Sequence, residues 1–358
     1  MRTILGTNIG IDLGTTSIVI YHEGRGIVLA EPSAAAYDTA TGRLIAVGKR
    51  AYDMLGRTPD SIKVVKPLRN GVVSDFTATR HILRYFLQKI CRNMVFKPNV
   101  VVCVPSSVTS LEKRTILELV IESGAGRACL IEEPLAAALG AGLRSDRPMG
   151  TMVVDIGGGT TDVAVMTMGS ISTSQSINIA GNALDEAIMR QIKNERAVLI
   201  GERTAENIKK QIGCAQLREL DLGLTVKGKH YVTGMPVSFE LTSTEAYLAM
   251  RQNLELIADT VRQVLENTLP ELAGDVLTSG IYLTGGGALL QGFDKMIENK
   301  TGIKTFVALD PLNCVALGIG FAIKNMDILF DNGGSFKTKE EIGSFESERL
   351  YTEENGYD

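Results

Sequence analysis

No two of the five cysteines in this 358-residue chain form a C-x-x-C pair, its three histidines are isolated, and positive charge is not in excess. Each shortage removes a class of function. Scattered cysteines (Cys91, Cys103, Cys129, Cys214, Cys314) supply neither a disulfide framework nor a zinc site, which fits a reducing compartment. Cys103 and Cys129 lie in apolar, strand-like runs and read as small buried hydrophobes. His22, His81 and His230 are assigned no chemistry. A net charge of −4 leaves no basic footprint, so no nucleic-acid partner is expected. The charge is also uneven: residues 331–358 hold eight acidic and three basic side chains, so the acidity sits in a tail expected to be disordered. No signal peptide is visible and no apolar run approaches a membrane-spanning length, so the expectation is a cytoplasmic protein whose membrane contact is peripheral.

What is present is an ordinary globular composition, 44% hydrophobic and 22% charged, long enough for one large domain or two average ones. The most informative stretch is residues 153–165. An apolar run ends in Asp155; Gly157, Gly158 and Gly159 follow, then Thr160, Thr161, Asp162 and a second apolar run. This reads as strand, tight turn, strand. Glycines let the N–H groups of such a turn converge into an anion nest, and the threonines add hydroxyl donors. An aspartate beside a phosphate makes sense when a divalent cation lies between them. Alone, such a stretch is more often just a hairpin turn. A second copy near the N-terminus changes the balance: Asp12, Leu13, Gly14, Thr15, Thr16 and Ser17 stand between apolar runs in the same grammar. Two such hairpins would hold a polyphosphate from both sides, each with a carboxylate for the metal.

Between and after these hairpins, further features are legible. Residues 31–66 read as a small insertion. A helix with apolar positions Ile82, Leu83, Phe86, Leu87 and Ile90 follows. Met94, Val95 and Phe96, flanked by Arg92 and Lys97 and stopped by Pro98, form the apolar tip and cationic flanks that a shallow membrane insertion needs; a loop folded on its own domain is the alternative. Residues 100–104 are an unbroken apolar strand, and a helix covers 111–123. Glu132 and Glu133 precede Pro134 and an Ala-rich helix, at the strand end where α/β folds place ligands; acids answering the helix dipole would look the same. Residues 218–240 are β-rich. Thr242 to Glu245 is a capping box opening a long helix with stripe Tyr247, Met250, Leu254, Ile257, Val261 and Val264. A third glycine turn, Gly285 to Ala288, follows an apolar strand and is read as leading into a helix at 289–299, whose N-terminus could hold an anion.

In combination these motifs resemble the actin-like ATPase superfamily, which also holds the heat-shock chaperone ATPases and the sugar kinases. Within it the chain is most similar to the MreB family (MreB/Mbl) of bacterial actin homologues. The matching stretches are residues 10–15, 67–76, 131–138, 153–165, 200–209 and 283–293, and the similarity runs from 8 to about 325. The resemblance implies an α/β fold of two related domains, each a mixed β-sheet flanked by helices, with ATP and Mg²⁺ in the cleft between them. Domain I would take 1–143 with the insertion at 31–66 and a returning helix at 313–325; domain II would take 144–312 with an insertion at 181–240. Carried over by position, Thr15, Thr16 and Ser17 would meet the phosphates from one side and Gly158, Gly159 and Thr160 from the other. Asp12 and Asp155 would hold Mg²⁺ through water. Glu206, Asn207, Ile208 and Lys209 would contact the ribose and adenine side, and Gly285, Gly286, Gly287 and Ala288 would lie against the adenosine. Glu133 would orient the attacking water with Thr160 assisting, giving a slow hydrolysis that times assembly rather than a metabolic activity.

The resemblance further implies membrane-associated filaments of paired protofilaments that direct cell-wall synthesis and maintain cell shape. Leu111 would lie at the protofilament contact, Met94, Val95 and Phe96 at the inner membrane surface, and the partners would be further copies of the chain and wall-elongation proteins such as MreC, MreD and RodZ. Asp162 stands where the family commonly has Glu, and Thr16-Ser17 where Ala-Asn is frequent, which suggests a divergent paralogue. The acidic tail exceeds the family's usual length, and residues 1–8 are too short for an amphipathic helix. A plasmid-segregation actin is an alternative that DNA-adaptor binding would reveal. A chaperone ATPase would need a substrate domain beyond residue 330, and a small-molecule kinase would need a catalytic aspartate, for which Asp162 is the candidate.

Overall fold

Strand Asn8–Leu13 pairs antiparallel with Ser17–His22 on one side and parallel with Asn99–Val104 on the other. Gly26–Pro32 continues the meander at one edge, and Arg127–Glu132 lies parallel to Asn99–Val104 at the other. The computed structural model, which describes residues 6–92, 95–143 and 148–342, repeats this pattern in a second sheet. There Thr151–Ile156 pairs antiparallel with Thr161–Thr167, which pairs with Ser170–Ile177; on the other side it runs parallel to Ile281–Thr284, which runs parallel to Thr305–Val307. Each sheet is thus an antiparallel meander joined to two parallel strands, in the same order. The parallel strands are covered on both faces, which is why Asn99–Val104 is buried along its whole length.

The chain divides into two compact units: described residues of 1–54, 58–132 and 316–358 form one, and those of 55–57 and 133–315 the other. The division falls after Glu132 rather than at 143, because helix Glu133–Gly140 packs on strands Thr151–Ile156 and Thr161–Thr167. A Cβ on Gly140 would fall 1.8 Å from the Cys314 carbonyl oxygen, so only glycine permits that approach.

In the first unit, helix Phe76–Ile90 buries Ile82, Leu83, Phe86 and Leu87, and helix Ser110–Glu122 buries Ile116, Leu119 and Val120. The helices pack with Ile9, Ile11, Ile18, Val100 and Val102 of the sheet. The insertion is a three-stranded sheet, Leu44–Val47, Ala35–Asp38 and Ile62–Val65, with helix Lys49–Met54. Helix Cys314–Lys324 closes on the first hairpin through glycines: a Cβ on Gly10 would meet Ile319 Cγ2 at 2.6 Å, and one on Gly320 would meet the Tyr21 ring at 2.5 Å.

In the second unit, Thr242 and Glu245 exchange the two bonds of a capping box and open helix Ser243–Glu266. Its buried face is Ala246, Met250, Leu254, Ile257, Val261 and Val264; Tyr247, expected in that stripe, is only half-buried at its edge. Helices Gly181–Arg196 and Glu202–Ile212 accompany a small sheet of Val198–Leu199, Gly223–His230 and Pro236–Thr242.

The tail departs from expectation up to residue 342. Beyond helix Met326–Asp331, Lys337 exchanges backbone bonds of 2.8 and 3.0 Å with Ala128, and Ile342 is buried. Arg127–Glu132 is the edge strand of its sheet, and an edge offers unpaired N–H and C=O groups that a passing extended segment satisfies. The remainder of the tail, 343–358, lies outside the described residues.

Candidate nucleotide site

In the second unit the Gly157 N–H donates to Thr160 O at 2.9 Å and closes the hairpin turn. The carbonyls of Gly157 and Gly158 accept from the N–H groups of Gly181 and Asn182 at 3.1 and 2.8 Å. Those donors are the first amides of helix Gly181–Arg196, whose N-cap Ala180 provides no side-chain bond. The turn therefore satisfies the helix, and the helix fixes the turn. With its carbonyls held this way, the N–H groups of Gly158 and Gly159 have no protein partner among the described residues, which is the property expected of an anion nest. Thr160 is buried beside them, and Thr161 Oγ1 donates to Ile179 O at 2.7 Å.

Asp155 stands opposite Asp162 across the hairpin and opposite Thr284 across the parallel pair. Thr284 Oγ1 donates to Asp155 Oδ1 at 2.7 Å. Burial pushes the Asp155 carboxyl up to about 6; the Thr284 bond opposes that shift and the Asp162 charge adds to it. Two buried acids on neighbouring positions are what a divalent cation would relieve, so the second unit fits the Mg²⁺ expectation. Among the described residues there is no group of three or more His, Cys, Asp and Glu that could hold a metal ion. Cys314 lies in the field of both Asp155 and Asp310, and burial pushes its thiol up to about 12. Nothing in the sequence signalled that neighbourhood.

The third glycine turn seats on the foot of the same hairpin. Gly285 has φ +77°, and a Cβ there would lie 2.4 Å from Ile156 O; a Cβ on Gly287 would lie 2.2 Å from Ile156 Cγ2. These glycines are thus required for packing whatever they contact besides. The turn runs into a short 3₁₀ segment, Gly286–Leu289, not directly into a helix. Helix Phe293–Thr301 starts only after Gly292, itself left-handed, so the expected helix N-terminus is not at the turn.

On helix Glu202–Ile212 the predicted quartet divides. Ile208 is fully buried in the core. Asn207 is exposed and accepts from Gln211 Nε2, and Glu206 accepts from Lys210 Nζ at 2.6 Å. Lys209 Nζ donates to Gly181 O at 2.8 Å and lies 2.9 Å from the Asp185 carboxylate. It therefore braces the helix that holds the hairpin, a role sequence reasoning missed. The glutamate pair also separates: Glu132 pairs with Lys113 at 3.2 Å, whereas Glu133 is buried at the start of its helix.

In the first unit, Asp12 is half-buried in its strand between the buried Ile11 and Leu13, and a Cβ on Gly14 would fall 2.8 Å from Ser17 O. Thr16 and Ser17 are exposed, and Thr15 is buried. Thr15 Oγ1 accepts from the Gly71 N–H at 2.9 Å. Gly71 and Asn70 are both left-handed, the two central residues of a tight hairpin between Leu68–Arg69 and Val72–Val73. The Asn-Gly dipeptide was a readable signal for that hairpin. Away from both turns, Val95 is 91% exposed, Phe96 57% and Leu111 67%. Met94 lies outside the described residues. Among these no helix is long and apolar enough to cross a membrane.

The description of the MreB/Mbl protein family matches residues 6–330 of this sequence. The chain belongs to the MreB/Mbl family. It is 42% identical to the cell shape-determining protein MreB of Escherichia coli K12 over 95% of its own length and 99% of that protein's. It is 43% identical to the cell shape-determining protein Mbl of Bacillus subtilis over 90% of its length and 97% of that relative's. Its fold is actin-like. The crystal structure of MreB5 of Spiroplasma citri bound to ADP superposes with a TM-score of 0.87 at 38% identity, covering 92% of this chain and 99% of that one. The AMPPNP-bound form of the same MreB5 gives 0.85. A MamK double helical filament, 20% identical with a TM-score of 0.74 and covering 89% of this chain and 98% of its own, shares the fold alone.

Proposed function

We propose that this MreB/Mbl chain binds ATP with Mg²⁺ and polymerises into filaments at the inner face of the cell membrane, where it directs wall synthesis and maintains cell shape. The observation that carries the nucleotide part is the fixed glycine hairpin, with free amides at its tip and a buried acid pair at its foot. MreB5, 38% identical, was crystallised with ADP and with AMPPNP. In this reading the N–H groups of Gly158 and Gly159 and the Thr160 hydroxyl bind phosphate oxygens from the second unit, and Thr15, Thr16 and Ser17 from the first. Mg²⁺ supplies neutralisation of the phosphate charge, and Asp12 and Asp155 are the residues that would hold it through water. Glu133, with Thr160 assisting, orients the attacking water. A carboxylate beside a γ-phosphate is a poor base, so the ATPase is slow.

Self-association is supported by the family and by the exposed Leu111; peripheral membrane contact is supported by the exposed apolar pair Val95 and Phe96 between Arg92 and Lys97. Wall-elongation proteins of the MreC, MreD and RodZ kind are the partners this reading calls for. A kinase reading is weakened by Asp162, which is wholly buried opposite Asp155 and not placed to take a proton from a substrate. Co-sedimentation with liposomes, with and without Mg-ATP, and electron microscopy of the pellet test the proposal. Paired filaments on lipid are expected; a soluble monomer that turns over ATP would move the assignment to another actin-like ATPase.

A further inference from the structure

Thr284 is the last residue of its strand, wholly buried and directly across the parallel pair from Asp155. Residues that face each other on neighbouring strands share one side of the sheet, so Thr284, Asp155 and Asp162 stand in a row on one face. A hydroxyl has one proton to donate. The 2.7 Å bond to Asp155 Oδ1 takes it, since the Val154 carbonyl lies farther away at 3.5 Å. The backbone on both sides of Thr284 is pinned: Leu283 O accepts from the Ala308 N–H at 3.0 Å, and the Gly285 N–H donates to Pro311 O at 2.8 Å. A β-branched side chain on a pinned backbone has little χ1 freedom, so the hydroxyl is aimed in advance. A carboxylate has no such restraint of its own, because rotation about the last bond of an aspartate is broad and roughly two-fold. The donor on Thr284 is therefore what fixes the plane of the Asp155 carboxyl.

We propose that Thr284 is a positioning residue for the cation: it occupies Asp155 Oδ1 and so presents the other carboxylate oxygen to the water shell of Mg²⁺. The inference rests on the reading of Asp155 given above and adds a residue to it. Hydrogen bonds to an ionised acceptor are the strong ones, and a carboxylate that serves a metal is itself held by such a partner. Thr284 also leads directly into Gly285, whose backbone packs so closely on Ile156 that a Cβ there would lie 2.4 Å from Ile156 O. Ile156 in turn follows Asp155 in the chain. The glycine turn assigned to the adenosine and the acid assigned to the metal are thus tied twice, once by that packing and once by the Thr284 hydroxyl. Seating the turn and orienting the carboxyl become one event, so nucleotide and cation reinforce each other's binding.

The test titrates Mg²⁺ into the full chain with a fluorescent ATP analogue and compares wild type, Thr284→Val, Thr284→Ser and Asp155→Asn. Paramagnetic resonance of Mn²⁺ on the nucleotide-loaded protein reads the cation directly. Thr284→Val keeps the shape and removes the donor; its half-saturating Mg²⁺ is expected to rise about tenfold, the lower end of what loss of such a partner costs. Thr284→Ser keeps the hydroxyl and should restore the wild-type value. The ratio of nucleotide affinity in Mg²⁺ to that in chelator separates positioning from loosening, because a merely structural defect weakens both alike. A lowered ratio in Thr284→Val, recovered in Thr284→Ser, supports the assignment; Thr284→Ala gives the same reading should the valine variant not fold. An unchanged ratio in Thr284→Val beside a lowered one in Asp155→Asn overturns the role of Thr284 and leaves the Mg²⁺ reading standing. An unchanged ratio in Asp155→Asn as well removes the Mg²⁺ reading and this inference with it.

Discussion

Asp155 and Asp162 face each other across the central hairpin, both buried, and the Thr284 hydroxyl donates to Asp155 Oδ1 at 2.7 Å. Like charges directly opposite in a ladder destabilise a sheet. The arrangement is therefore costly in the absence of a cation, and the cost has a measurable pH signature.

With chelator present and nucleotide absent, stability should fall as pH rises through about 6. The Asp155 carboxyl is raised from 3.8 to about 6, so the folded chain holds a proton that the unfolded chain has lost in that window. The contribution is present below the unfolded value and disappears above the folded one, roughly 3 kcal/mol across it. Asp155→Asn should flatten this slope in thermal melts and raise the melting temperature at pH 7, while weakening Mg²⁺-dependent nucleotide affinity. A wild-type melt independent of pH from 5 to 7 would contradict the buried-acid account.

Glu133→Ala should retain nucleotide binding and lose phosphate release by at least about tenfold, since removing a water-positioning group acts on the transition state rather than on binding. Single-turnover phosphate release alongside a fluorescent-nucleotide titration separates the two. Equal turnover in variant and wild type would remove Glu133 from the chemistry.

Gly285→Ala should destabilise the second unit by more than about 2 kcal/mol, because its φ of +77° disfavours a side chain and the added Cβ would overlap the Ile156 backbone. Gly302→Ala provides the control: its φ is +72°, but nothing lies within 4 Å of the added Cβ. Urea titrations of the pair should show the larger loss at Gly285.

Lys209→Met should weaken nucleotide binding without removing any group from the phosphates. The change breaks the bonds to Gly181 O and Asp185, each worth roughly 1–3 kcal/mol, and frees the helix that holds the hairpin carbonyls. Restoration by Lys209→Arg would favour bracing by charge; an unchanged affinity in Lys209→Met would show that the brace is dispensable.

Replacing Val95 and Phe96 with Ser should spare assembly and reduce liposome binding several-fold, since both side chains are exposed and support no core. Sedimentation with and without lipid reads both properties; undiminished lipid binding would return the loop to an ordinary surface turn.

Much of this was legible because it depends on local order. The capping box at Thr242 and Glu245, the continuous apolar strand ending at Val104 and the glycine hairpins each announce themselves within a few residues. Asn70 and Gly71 do too, through a dipeptide that fits a left-handed pair. The third glycine turn departs from the sequence pattern because helix onset depends on Gly292, whose left-handed φ interrupts a run with helical spacing. The pairing of Lys337 with Ala128 is not legible in the tail's composition, which reports the absence of a core and not the presence of an open strand edge nearby.

By itself, then, the sequence determined the two phosphate-type hairpins, the duplicated α/β plan and the family, all of which follow from residue types at short and fixed spacing. Tertiary structure alone decided which of those residues are bound to which. Lys209 meets Gly181, Gly71 meets Thr15, and Lys337 meets Ala128 across long stretches of chain. The physical reason is that a backbone amide or a buried charge must find a partner, and the partner is fixed by how elements pack, which no local pattern encodes.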